Sequence, residues 1–302
     1  MPEFKVMVPL DGSRTAEHSL AYLDGLKSLG ESEVLLFSVV DESEDFHTLS
    51  TDEARERERN LLSTYLREVS SDIEKHLGLR VETRVSSGQP ADSILEEAHR
   101  YEPDLLVIST HGRSGTSRWR FGSVADKLIR GAASNTLVIG PAATERETWL
   151  EARIMAPFTK VLVPLDGSEL AEEALPVAAQ FVKAYGAVLH LVRSVTVPAA
   201  GDVYGEATYM PDLLNSLIEG AKSYLTDVAT RLSGVGPVTI AAPVGSAAFE
   251  LEEYVRQQGI DLVVMTSHGR SGFVRTALGS VTDRMLGGPA PVLVVRSAEA
   301  TA

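Results

Sequence analysis

Lys5-Val-Met-Val-Pro-Leu-Asp-Gly-Ser13 returns later in the same chain as Lys160-Val-Leu-Val-Pro-Leu-Asp-Gly-Ser168. A second pair of segments behaves alike. Ser109-Thr-His-Gly-Arg-Ser-Gly115 followed by Gly122-Ser-Val-Ala-Asp126 returns as Thr266-Ser-His-Gly-Arg-Ser-Gly272 followed by Gly279-Ser-Val-Thr-Asp283. The first pair is displaced by 155 positions and the second by 157. An offset that drifts by the length of a small loop means two copies of one fold.

Between these anchors, short apolar runs alternate with longer amphipathic ones, the pattern of a parallel sheet covered by helices on both faces. In the first copy, Val6–Leu10, Val34–Val40, Arg80–Val85, Leu105–Ile108 and Thr136–Ile139 read as strands. Helical stretches fall near Arg14–Leu29, Thr51–Leu77, Ala91–Arg100 and Ser123–Gly131. In the second copy, strands are expected near Val161–Leu165, Val188–Val192, Val238–Ala241, Leu262–Met265 and Val292–Val295. There the long helix runs over Leu213–Ser233 after a looser lead-in, Tyr204–Asp212. The charge run Asp52–Arg59 reads as a solvated helix face. The domains are expected at 1–142 and 158–302, with 143–157 as a tether in which Thr144–Arg153 forms one helical turn or more.

The 302 residues divide into halves large enough to bury a core each. A formal charge of -14 speaks against nucleic acid and anionic membranes as partners. Without cysteine there are no disulfides, thiolate nucleophiles or Cys-based metal sites. Met1-Pro-Glu-Phe-Lys5 reads straight into a strand with no charged-then-apolar leader, so a cytoplasmic protein is expected.

In an open parallel sheet, ligands sit beyond the carboxyl ends of the strands. The repeated motifs fall there. Asp11 follows the first strand, Ser109–Gly115 follow the fourth, and Gly122-Ser123-Val124 opens the last helix, where backbone N–H groups and the helix dipole meet an anion. Gly112 and Gly115, repeated as Gly269 and Gly272, permit close approach of backbone to phosphate. Arg113 and Arg270 lie inside this cradle, with Arg118 and Arg275 on its far side, placed for charge-assisted contacts or for surface ion pairs. His111 and His268 lack partners at metal-ligand spacing and read as hydrogen-bonded loop histidines. Trp119 reads as a packing residue. A P-loop and a G-x-G-x-x-G after the first strand are both missing, which argues against a P-loop hydrolase and a dinucleotide dehydrogenase.

These residues resemble the universal stress proteins in their tandem two-domain form. The ATP-binding members carry Gly-x-x-Gly, nine residues and Gly-Ser or Gly-Thr after the fourth strand, with Pro-x-Asp at the end of the first. Gly112 and Gly122-Ser123 match that spacing, as do Gly269 and Gly279-Ser280; Pro9-Leu-Asp11 and Pro164-Leu-Asp166 match the strand-end motif. The resemblance implies two Rossmann-like domains of the adenine nucleotide alpha hydrolase type, each a five-stranded parallel sheet of order 3-2-1-4-5, paired as a pseudo-dimer through their fifth strands. It implies ATP as ligand, with magnesium or manganese, and a stress-response regulatory role through an unnamed protein partner or a homodimer. Asp11 and Asp166 would approach the ribose and adenine, Val39 would line the adenine slot, and Gly112, Gly122, Ser123 and their repeats, flanked by Val124 and Val281, would hold phosphates. The motif's first glycine is Ser109 in one copy and Thr266 in the other, and Ser194 aligns with Val39, so the second site is expected to bind more weakly. Gly287-Gly288 is expected to loosen the end of the last helix and to offset part of that loss.

Other readings of the same residues stay open. Asp11 and Asp166 also suit a strand-to-helix turn. Ser123-Val-Ala-Asp126 and Ser280-Val-Thr-Asp283 also suit capping boxes. A slow ATPase would have only Asp11, Asp166 or the loop histidines as base, and a scaffold with empty cradles is a third possibility.

Overall fold

The computed structural model describes residues 3–42, 52–110, 122–140, 148–151, 158–196, 211–266 and 278–297. Two compact units emerge, residues 1–157 with 291–302, and residues 158–290.

The first unit contains β1 (Glu3–Pro9), β2 (Glu31–Asp41), β3 (Arg80–Gly88), β4 (Leu105–Ser109) and β5 (Asn135–Ile139). They lie in the order β3-β2-β1-β4-β5, all parallel. The last strand of the chain, here called β10 (Val292–Val295), joins the same unit antiparallel to β5, with Leu293 opposite Leu137. Val6, Met7, Val34, Leu35, Leu36, Leu106 and Val107 are fully buried, as a sheet covered on both faces requires.

The stretch expected as one helix over Arg14–Leu29 is broken. It runs as α1 (Arg14–Glu17), a 3₁₀ segment His18–Tyr22, α2 (Leu23–Leu26) and a 3₁₀ segment Lys27–Leu29. The Ser19 hydroxyl donates to the Ala16 carbonyl at 2.6 Å, three residues back, and so competes with the α-helical bonding pattern. By contrast α3 (Asp52–Leu77) is continuous and buries Leu66, Val69, Ile73 and Leu77, one stripe at helical spacing. Its charged beginning faces solvent, with exposed Arg57 within 3.8 Å of Glu53. Then come α4 (Pro90–Tyr101) and α5 (Ser123–Gly131). In the tether, Thr148 and Glu151 bond each other reciprocally, Thr148 N–H to Glu151 Oε2 at 3.2 Å and Glu151 N–H to Thr148 Oγ1 at 3.3 Å, and Trp149 is buried.

The second unit contains β6 (Lys160–Pro164), α6 (Glu169–Glu172), α7 (Ala174–Tyr185), β7 (Val188–Val192), α8 (Pro211–Arg231), β8 (Val238–Ala241), α9 (Ala247–Gln258), β9 (Leu262–Thr266) and α10 (Ser280–Leu286). Its strands lie in the order β9-β6-β7-β8, again parallel. Most of the lead-in expected over Tyr204–Asp212 lies outside the described residues. Phe158, fully buried, meets Phe181 and Tyr185 edge-on at 5.3 and 5.2 Å.

Hydrogen bonds fix which positions correspond. Asp104 accepts from Lys5 N–H at 2.8 Å, and Asp261 from Lys160 N–H at 2.9 Å. The Tyr65 hydroxyl donates to Glu17 at 3.0 Å, and the Tyr224 hydroxyl to Glu172 at 2.8 Å.

Candidate functional site

Both copies of the strand-end motif make the same turn. Gly12 and Gly167 adopt φ of 77° and 87°, the left-handed region a side chain resists. The Asp11 Oδ1 accepts the Ser13 N–H at 2.9 Å, and the Asp166 Oδ1 accepts the Ser168 N–H at 2.9 Å and its hydroxyl at 2.6 Å. Ser13 and Ser168 then cap α1 and α6, accepting from Ala16 N–H at 3.1 Å and Ala171 N–H at 3.2 Å. The aspartates therefore hold the turn, and the turn places them at the carboxyl end of the sheet. Asp11 is exposed, whereas Asp166 is half-buried.

At the last helix of each copy the capping-box expectation is corrected. The N-caps are Gly122 (φ -64°, ψ 153°) and Gly279 (φ -61°, ψ 149°), and neither cap has a side-chain hydrogen bond. Ser123 and Ser280 are the first helical residues. Asp126 does not reach back; it takes a two-pronged bond from Arg130, at 2.9 and 2.8 Å, one turn further on. A glycine cap offers no side-chain oxygen to the first-turn amides, so an anion can take that role. Among the described residues, a Cβ placed at Gly122 would meet nothing within 4 Å.

Ser109, where the motif has glycine, turns its hydroxyl away to the Thr15 carbonyl and so ties β4 to α1. Thr266 is buried, 5% exposed, at the end of β9. The pairing Pro9 with Phe37 and Pro164 with Val192 sets the register, so Val39 and Ser194 stand at matching points. Val39 is half-buried. The Ser194 hydroxyl donates to the Gly245 carbonyl at 3.0 Å. The expectation that Gly287-Gly288 loosens α10 is also corrected: Gly288 N–H bonds the Met285 carbonyl at 2.9 Å, and a Cβ there would lie 2.9 Å from that oxygen. The pair closes the helix tightly.

In the second unit these residues surround one cleft of about 500 Å³. Pro164, Asp166, Thr266, Gly279, Ser280 and Val281 all line it. Gly112, Arg113, Gly115, Gly269, Arg270 and Gly272 lie outside the described residues, as do His111, His268, Arg118, Arg275 and Trp119.

Sequence reading missed the far wall of the cleft. Arg193 lines it, its guanidinium 4.9 Å above the Tyr224 ring, and α8 contributes Leu217 and Ala221. Burial first, and then the hydrogen bond to Glu172, push the Tyr224 hydroxyl above its ordinary range, so it stays a donor. The signal was present in the strand register, one residue before Ser194. Among the described residues no group of three His, Asp or Glu side chains is placed to hold a metal ion, and no helix is long and apolar enough to cross a membrane.

Comparison with known proteins agrees with this picture. The model of the universal stress protein family matches residues 4–140 and again 157–296. Over 226 residues the chain is 29% identical to universal stress protein Rv2005c of Mycobacterium tuberculosis, covering 72% of this chain and 70% of that protein. Over 138 residues it is 30% identical to universal stress protein MJ0531 of Methanocaldococcus jannaschii, covering 45% of this chain and 81% of that protein. The crystal structure of a universal stress protein from Archaeoglobus fulgidus superposes with a TM-score of 0.73 at 20% identity, covering 97% of this chain and 98% of that one, a likeness of fold.

Proposed function

Because the chain belongs to the universal stress protein family in its tandem two-domain form, we propose that it binds ATP at the carboxyl ends of its strands and acts as a nucleotide-dependent regulator. The observation that carries this reading is the assembly around one cleft of the strand-end Asp166 turn and the glycine-capped start of α10. Its volume of about 500 Å³ suits a small-molecule ligand. In the first domain the same turn and the same glycine cap recur, and among the described residues nothing crowds the cap.

In this reading the first-turn amides behind Gly122 and Gly279 meet phosphate oxygens, and the half-buried Asp166 and its counterpart Asp11 face the sugar. Magnesium or manganese would arrive on the phosphates with most of its water retained, the usual habit of a small hard cation. Its chemistry there is to neutralise phosphate charge.

The proposal extends to an intramolecular pseudo-dimer, to a cytoplasmic location and to a protein partner chosen by nucleotide state. It also orders the sites, with ATP held more tightly by the first domain. Val39 gives that domain an apolar base wall, and Ser109 has turned its hydroxyl out of the way.

Titration calorimetry of the full chain with ATP and magnesium is the test. Two binding events of unequal affinity are expected, with thermal stabilisation of about 2.7 kcal/mol at a hundred times the dissociation constant. No heat and no stabilisation at millimolar ATP would leave the family fold without this function.

A further inference from the structure

The two domains present different walls at the base end of the site. In the first domain the end of β2 carries Phe37, 2% exposed, and Ser38, 1% exposed, whose hydroxyl is committed to the Leu10 carbonyl at 2.6 Å. The register places Val192 and Arg193 at these points in the second domain. On the covering helix the Tyr65 and Tyr224 anchors set the alignment, and three residues before them stand Leu62 and Ala221. Phenylalanine has become valine and leucine has become alanine at these matching positions, and Val192, Arg193 and Ala221 all line the cleft of the second domain.

Arg193 stands in that space with an unusual set of contacts. Its guanidinium lies over the Tyr224 ring, and the Tyr224 hydroxyl is held by Glu172, which Arg231 also bonds at 2.8 Å. Among the described residues no carboxylate pairs with Arg193. It directly follows β7, and β6 separates β7 from β9 and the α10 that follows. Two strand spacings, roughly 10 Å, therefore separate Arg193 from the end where phosphates would sit.

We infer that Arg193 makes the second cleft selective for a nucleotide whose base carries acceptors on its outer edge, a 6-oxopurine, in preference to adenine. This rests on the reading of the cleft as a nucleotide site. A guanidinium has five N–H donors and no acceptor. It matches the two acceptors N7 and O6 of a 6-oxopurine, whereas adenine offers N7 beside an amino group that also donates. The stack on Tyr224 holds the planar fork in place before the ligand arrives, which lowers the cost of ordering it. The Ser194 hydroxyl donates its hydrogen bond to the Gly245 carbonyl, so Arg193 is the donor that decides.

The test uses the full chain with Gly122→Asp to silence the first domain, titrated with ITP, GTP and ATP in the presence of magnesium. A double variant that adds Gly279→Asp sets the baseline. ITP and GTP are expected to bind about tenfold or more tightly than ATP, the scale of one good guanidinium-to-base pair. Arg193→Met should remove that preference, bringing ITP and GTP to within about twofold of ATP, with far-ultraviolet circular dichroism unchanged. Equal affinities for ITP and ATP, or a preference that survives Arg193→Met, would overturn the inference while leaving a nucleotide site in place. Failure of all three nucleotides to bind above the double-variant baseline would overturn both.

Discussion

The strand-end turns of the two domains are nearly superimposable in chemistry, whereas the walls two strands away are not. Asp11, Gly12 and Ser13 make the same turn and cap bonds as Asp166, Gly167 and Ser168, where the Ser168 hydroxyl adds one more to Asp166. Phe37, Ser38 and Val39 face Val192, Arg193 and Ser194 across the repeat with a different size, charge and polarity at each step. The difference teaches where each kind of constraint acts. A positive φ and a carboxylate bonded two residues ahead are demands of the backbone, and any ligand placed on that fold meets them. Wall residues answer to the group that touches them.

The comparison breaks most visibly in the cores. Phe158 is fully buried against Phe181 and Tyr185, while its counterpart in the first domain is the exposed Glu3. Phe158→Ala should destabilise the second domain by about 3–5 kcal/mol, the range for emptying a buried aromatic site. Glu3→Ala should stay within about 0.5 kcal/mol, as at an exposed position. Hydrogen exchange followed on peptides from 158–290 and from 3–140 reads each domain separately. Protection that falls equally in both domains after Phe158→Ala would contradict the assignment of that cluster to one core.

Next in size are the glycine caps. Gly122→Asp puts a carboxylate where the phosphate is proposed to sit, at a position where no described residue would crowd it. ATP affinity of the first domain should fall by about a hundredfold or more. The helix should hold or gain slightly, because aspartate is at least as good an N-cap as glycine and suits the dipole. Gly279→Asp is the matching probe in the second domain. Calorimetry on each variant of the full chain separates the two sites, and wild-type ATP binding by a folded Gly122→Asp would remove the phosphates from that helix.

Much of this was legible in the sequence because it rests on backbone needs that only certain residues meet. Val188–Val192, Val238–Ala241 and Val292–Val295 form strands over the very residues expected, since short valine-bounded or valine-rich runs of four or five residues suit strands. The broken helix after β1 was hidden because a hydroxyl bonding three residues back leaves no mark on hydrophobic periodicity. The caps were misplaced by one residue. A serine followed by an acid three positions on has the capping pattern, yet the register is set by the glycine before it, and Asp126 prefers Arg130. Arg193 went unseen because its role depends on Tyr224, 31 positions away on α8.

A smaller difference separates the staples at the starts of β1 and β6. Asp261 accepts from Thr159 N–H at 2.8 Å, Thr159 Oγ1 at 2.5 Å and Lys160 N–H at 2.9 Å. Among the described residues Asp104 accepts from Lys5 N–H at 2.8 Å. Asp261→Ala should therefore cost about 1.5 kcal/mol and Asp104→Ala less than about 1, both partly relieved by water at these exposed edges. Urea unfolding of each variant, compared at equal m-value, checks the order. Equal midpoints would show that solvent replaces the extra bonds.

The finest distinction is a proton. His190 on β7 is 5% exposed, and its Nδ1 lies 3.0 Å from the Tyr254 hydroxyl; the register gives Leu35 at the matching point of β2. Burial first, and then the positive charge of Lys160, hold the imidazole below its ordinary pKa, so the folded domain favours the neutral ring. The unfolded chain takes up a proton near pH 6.5, before the folded domain does. The stability that His190 supports is thus fully present above about pH 6.5 and is lost as the pH falls toward the lower folded value. His190→Gln keeps an acceptor for Tyr254 and carries no titrating proton, so it should flatten this part of the pH profile. Denaturant unfolding of parent and variant between pH 8 and pH 5 reads the difference in slope. The decline should be confined to the second domain, because Leu35 has no proton to gain; a parent and variant that lose stability in parallel would show that carboxylates elsewhere account for the whole profile.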